Sequence, residues 1–150
     1  MNIQRVKQGA KITHFNGIYT MVLGIFFILF RDLNMKSNFY GINKLWGFFS
    51  KYNPEISYLF SLLNILIGIL LVSIGIAIIY LSDFIIKRKD KMAWVTLFIL
   101  GITTWVSLLV ISILLENWAL IIFTFIGWAS FVFGMIIPIK YYIQKSYREY

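Results

Sequence analysis

Four stretches of this chain contain no Asp, Glu, Lys or Arg: Ile12 to Phe30, Ile56 to Ser82, Met92 to Leu115, and Asn117 to Ile139. They run 19, 27, 24 and 23 residues, and all twenty charges fall outside them. A bilayer core about 30 Å thick takes roughly 20 apolar residues of helix to cross. The pattern predicts an all-α membrane protein forming a single domain over residues 1–150. Its four transmembrane helices are expected at about 15–30, 56–82, 93–115 and 118–139, packed as an antiparallel bundle.

Sixty per cent of the residues are hydrophobic and mean hydropathy is +0.81, well above the roughly 45–50% apolar content of soluble domains. Lipid tails are as apolar as Leu, so burial alone does not hold such helices together. Small-residue packing, interhelical hydrogen bonds and lipid entropy must do so. Gly17 and Gly24 share one face of the first span. Ser61, Asn64, Gly68 and Gly75 form a stripe along the second, and Gly127 and Gly134 one along the fourth. These are the expected helix-packing positions. The N-terminus imitates a secretory signal, but Arg31, Asp32 and Leu33 follow the apolar run instead of a small-residue cleavage pattern. It reads as a retained first span.

Orientation follows from the basic residues. With the first loop outside, the inner segments hold ten Lys and Arg against four outside, at Arg31, Lys36, Lys44 and Lys51. Both termini are therefore expected on the cytoplasmic side or its equivalent. The net charge of +8 reads the same way, as orientation and contact with anionic headgroups, and not as a nucleic-acid surface.

The segment from Arg31 to Glu55 is the longest gap. Phe39, Ile42, Trp46 and Phe49 recur three and four apart, with Asn43, Lys44, Ser50 and Lys51 between or just after them. That spacing predicts a short amphipathic helix in the headgroup region, either an interfacial anchor or a lid. Asn53-Pro54-Glu55 reads as the start of the second long helix, with Asn as N-cap and Pro at the first position. The tail from Lys140 mixes Lys and Arg with Tyr141, Tyr142, Tyr147 and Tyr150 as an interfacial belt.

The chemistry is sparse. No cysteine is present, which removes disulfides, thiolate metal sites and Cys nucleophiles. His14 is the lone histidine, so a histidine metal cluster within one chain is excluded. The six acids stand beside basic residues, turns or helix ends, and Asp83 is expected to pair with Lys87 one turn on. The span Ser and Thr residues lack a companion base. No enzyme activity, metal or cofactor is expected. Asn64 needs a hydrogen-bond partner wherever it lies, and Trp105 and Trp128 fall near mid-depth. Together these three are the expected wall of an apolar ligand pocket. The leading expectation is a non-catalytic accessory subunit of a membrane complex, or a homo-oligomer, whose partners are lipids and other membrane helices. The alternative is a binder of lipid or a small apolar ligand, including a protective role such as immunity to a membrane-active toxin.

Overall fold

Long apolar runs with few breakers carry long helices, because away from water each backbone N–H and C=O must find its partner within the chain. The computed structural model describes the backbone of residues 3–42 and 44–148 and the side chains of residues 3–40 and 44–143. Helices are the regular elements of the described chain: α1 (Ile3–Leu29), α2 (Arg31–Ile42), α3 (Trp46–Tyr52), α4 (Pro54–Arg88), α5 (Lys91–Leu114), α6 (Trp118–Ile136) and α7 (Ile139–Arg148). Four of these, α1, α4, α5 and α6, are long and apolar enough to cross a membrane. The charge-free runs located them, but α1 begins nine residues earlier and runs through Arg5, Lys7 and Lys11. Charge ends a span without ending a helix.

The turns explain where helices start. Pro54 opens α4 as expected, although the Asn53 side chain makes no capping hydrogen bond. Asp90 caps α5, its Oδ1 accepting from the backbone N–H of Met92 at 2.6 Å and of Ala93 at 3.1 Å. Asn117 caps α6 by accepting from the N–H of Leu120 at 3.2 Å. Lys89 and Glu116 turn the chain with φ of 53° and 51°.

The most extensive contact is α1 against α4. On α4 the buried positions are Ser61, Asn64, Gly68, Leu71, Gly75, Ile78, Ser82 and Ile85, alternating three and four apart. Such a seven-residue seam suits a slightly supercoiled helix pair. Gly24 meets Gly68, and Gly17 meets Gly75: a Cβ at Gly24 would lie 2.6 Å from the Gly68 carbonyl oxygen, and one at Gly75 would lie 2.7 Å from that of Gly17. The ascending numbers on one helix meet descending numbers on the other, so the pair is antiparallel. Thr13 and Ser82 close this seam through their hydroxyls, 3.0 Å apart.

Contacts between α5 and α6 rest on two reciprocal notches. The Trp105 ring fills the space over Gly127, and the Phe131 ring fills the space over Gly101, each within 2.0 Å of where a Cβ would be. Gly9 and Gly134 bring α1 against α6 in the same manner, with a Gly9 Cβ falling 2.6 Å from the Gly134 carbonyl. Ser61 and Asn64 are buried, and Gly17, Gly24, Gly68, Gly75, Gly127 and Gly134 lie against neighbouring helices. The contact of α4 with α5 is lighter.

The single amphipathic helix expected across Phe39–Phe49 is not what forms. The segment makes two helices, α2 and α3, with a turn at Lys44 and Leu45 before the second. Phe39, Trp46 and Phe49 cluster across that turn, with ring centroids 4.1 to 5.9 Å apart. Phe39 also meets Phe60 of α4 edge-on at 5.1 Å, so these rings pack within the protein. The exposed face of α3 is instead Leu45, Phe48 and Tyr52, each 63% exposed. The side chain of Ile42, also expected in this anchor, lies outside the described residues, as do Asn43 and the side chains of residues 144–150.

Candidate functional site

The features that stand out lie at the end of the molecule where α1 gives way to α2. Backbone hydrogen bonds run through the junction, from Phe30 N–H to Phe26 and from Asn34 N–H to Phe30, both 2.9 Å. The helical path bends there without proline or glycine. Asn64 of α4 sits against the bend, its Nδ2 donating to the carbonyls of Phe27 at 3.2 Å and Arg31 at 3.5 Å. A side-chain amide offered to carbonyls one turn apart compensates for the loosened ladder of a bent helix.

Past the bend, α2 lies across the helix ends and is pinned at two points. Asn34 Nδ2 donates to Asn64 Oδ1 at 2.9 Å, and Asn38, one turn on, accepts from Asn117 Nδ2 at 2.6 Å. Met35, between them, is buried. An amide pair shielded from water is held more firmly than one at a wet surface, since neither partner has solvent to fall back on. The sequence drew attention to Asn64 alone. Asn34, Asn38 and Asn117 were legible only as loop residues, although the four-residue spacing of Asn34 and Asn38 would put them on one helix face.

Apolar cavities open on both sides of α2. One of about 320 Å³ lies between α2 and α4, lined by Met35, Asn38, Phe39, Phe60, Leu63 and Asn64. Another of about 200 Å³ lies between α1, α2 and α6, with Asn34, Ser37 and Asn117 at its polar end. A third of about 140 Å³ continues the second along α1 and α6, sharing Leu23, Phe26 and Phe123 with it.

The expected pocket of Asn64, Trp105 and Trp128 does not come together. Asn64 lines the α2–α4 cavity, whose described lining includes neither tryptophan. Trp105 is completely buried, stacked on Tyr19 at 5.9 Å, and its Nε1 donates to Asn16 Oδ1 at 3.0 Å. Asn16 Nδ2 in turn donates to the Gly127 carbonyl and to Ser130 Oγ, both at 2.8 Å. This network joins α1, α5 and α6 and engages both the oxygen and the nitrogen of the Asn16 amide. The indole therefore packs into a glycine notch instead of walling a cavity. Trp128 is half-buried beside Phe125, with centroids 5.9 Å apart.

Asp83 does not pair with Lys87. Its Oδ1 lies 3.1 Å from His14 Nδ1, across the α1–α4 seam, close enough for an ion pair but not aligned as a hydrogen bond. The neighbouring hydroxyls of Thr13 and Ser82 bond to each other and not to the imidazole. Near the opposite end from α2, Trp94 stacks on Tyr142 at 5.1 Å, and Trp94 Nε1 and Tyr142 Oη are both buried without a hydrogen-bond partner among the described residues. Burial pushes the Tyr142 phenol well above its ordinary range, with the charges of Tyr141 and Asp90 adding to the effect. Among the described residues no group of three His, Asp or Glu side chains is placed to hold a metal ion.

No protein family, curated protein or solved structure matches this chain. Its function is therefore argued from its own geometry.

Proposed function

We propose that this is a small non-catalytic integral membrane protein with four spans, which binds a lipid or another apolar molecule beside the α2 lid. Membrane insertion is supported by the four long apolar helices, and cytoplasmic termini by the bias of Lys and Arg toward one side. The single observation that carries the binding reading is the pair of asparagine contacts, Asn34 to Asn64 and Asn38 to Asn117, holding a helix between two apolar cavities. Leu45, Phe48 and Tyr52 on α3 supply an exposed apolar face suited to anchoring the lid in the headgroup region.

An accessory-subunit reading would gain from small-residue stripes left over for a partner. The glycines of those stripes are taken up by contacts within the chain, so the stripes lend it less. One observation still favours a partner helix or a second copy. The lighter α4–α5 contact leaves a cleft of about 300 Å³ with Thr103, Thr104 and Ser107 along it, hydroxyls of the type that bond across membrane helices.

The experiment is purification in mild detergent, followed by melting with and without added lipid extract. Binding stabilises by mass action, so the wild-type midpoint should rise with lipid, and Leu63→Trp, which fills the α2–α4 cavity, should reduce the rise. A midpoint indifferent to lipid, together with a stoichiometric co-purifying subunit, would move the conclusion to the partner reading.

A further inference from the structure

The two cavities along α1 and α6 form one groove, and its chemistry is graded from end to end. Asn34, Ser37 and Asn117 stand at the lid end. Leu23, Phe26 and Phe123 form its middle. Tyr19 closes its base, its hydroxyl donating to the Phe123 carbonyl at 2.9 Å and so tying α1 to α6. From Tyr19 to Phe26 the helix rises about 10 Å at roughly 1.5 Å per residue. Half of a hydrocarbon core is about 15 Å thick, so the groove covers most of one leaflet.

We infer that this groove holds one acyl chain of a membrane phospholipid, with the chain running down toward Tyr19 and the head group at Asn34, Ser37 and Asn117. The inference rests on the lipid-binding reading above and specifies its site and ligand class. Three observations select this occupant. The polar-to-apolar order matches the order of an amphiphile lying along the helices. Volumes of about 200 and 140 Å³ admit a flexible hydrocarbon chain but not a helix about 10–12 Å across. At the head end a hydroxyl lines the groove, and a cation stands next to it in the chain, just outside the lining. The Ser37 hydroxyl makes no hydrogen bond among the described residues, and Lys36 beside it is exposed with no ion-pair partner among them. A phosphate there meets a cation and a hydroxyl, the pairing that charge-assisted hydrogen bonds favour.

The test uses full-length protein in dodecyl maltoside with dioctanoyl phosphatidylglycerol as the probe, read by thermal melting and by native mass spectrometry. Ala119 and Val22 are exposed groove-lining residues, so Ala119→Trp and Val22→Trp fill the groove from two sides without emptying the core. Ile122, exposed on α6 and absent from the groove lining, gives the control Ile122→Trp. The expected result is one bound lipid and a rise of about 5 °C or more for wild type and Ile122→Trp. Either groove variant that folds should lose both, and Lys36→Gln should weaken binding several-fold. A retained one-lipid complex in a folded groove variant overturns the inference. If that retained binding is lost in Leu63→Trp, the lid reading survives and the lipid lies on the α4 side. If wild type binds no lipid at all, both fall.

Discussion

Adding a single methyl at Gly127 should be among the most damaging small changes available in this chain. An ideal Cβ there would fall 2.0 Å from Trp105 Cη2 and 2.1 Å from Cζ3, where ordinary contact begins near 3.4 Å. The ring must retreat by about 1.4 Å. It has little room, being completely buried, and retreat pulls its Nε1 from Asn16 Oδ1, now 3.0 Å away. Overpacking of this sort costs about 1–3 kcal/mol, and an interhelical hydrogen bond in a membrane protein contributes about 0.6 kcal/mol. Less the roughly 0.5–1 kcal/mol that alanine gains over glycine inside a helix, Gly127→Ala should cost about 1–3 kcal/mol. Reversible unfolding by sodium dodecyl sulfate in mixed micelles measures it. The same change in a Trp105→Leu background should cost less than about 0.5 kcal/mol, because the obstructing ring is gone, and the difference is the coupling energy of the pair. An equal cost in both backgrounds, or a cost under about 0.5 kcal/mol in the wild type, would refute the notch.

Further outcomes are expected. Gly68→Ala puts a Cβ 2.7 Å from the Gly24 carbonyl oxygen and, after the helix-propensity gain, should cost about 0.5–2 kcal/mol; Gly47→Ala meets nothing within 4 Å and should gain up to about 0.5 kcal/mol from helix propensity, both read by thermal melting. Tyr142→Phe removes a buried hydroxyl that has no partner among the described residues, so it should be neutral or stabilising at pH 7. Because burial raises the folded phenol's pKa, its contribution is complete below the unfolded value of about 10 and is lost as pH rises beyond that; the variant's stability should fall less steeply above pH 10, and identical slopes would contradict this. The chain has no cysteine, so K44C and K89C can each be labelled alone with a membrane-impermeant maleimide in intact cells: K44C should react and K89C should not, and the reverse would invert the orientation.

How much of this was legible in the residues depends on how local each signal is. Charge placement and apolar run length locate the four long helices, since both are properties of one segment at a time. Pro54 marked the start of α4 for the same reason, and the spacing of Gly17 and Gly24, or of Gly68 and Gly75, marked faces where a backbone can come close. What those faces meet is a different question. Gly24 lies opposite Gly68, and Trp105 over Gly127, only because antiparallel helices settle into one register, and register depends on all the contacts along a seam. The same holds for the contacts of α2. Asn34 finds Asn64 thirty residues away and Asn117 finds Asn38 across seventy-nine, separations no periodicity records. The approach of His14 to Asp83 leaves no sequence signal either, each being ordinary on its own helix. The sequence by itself determined where the four long apolar helices lie, because desolvation acts on each residue where it stands. Tertiary structure alone decided which polar groups are spent on one another and which line a cavity, because a hydrogen bond needs two partners brought together by the whole fold.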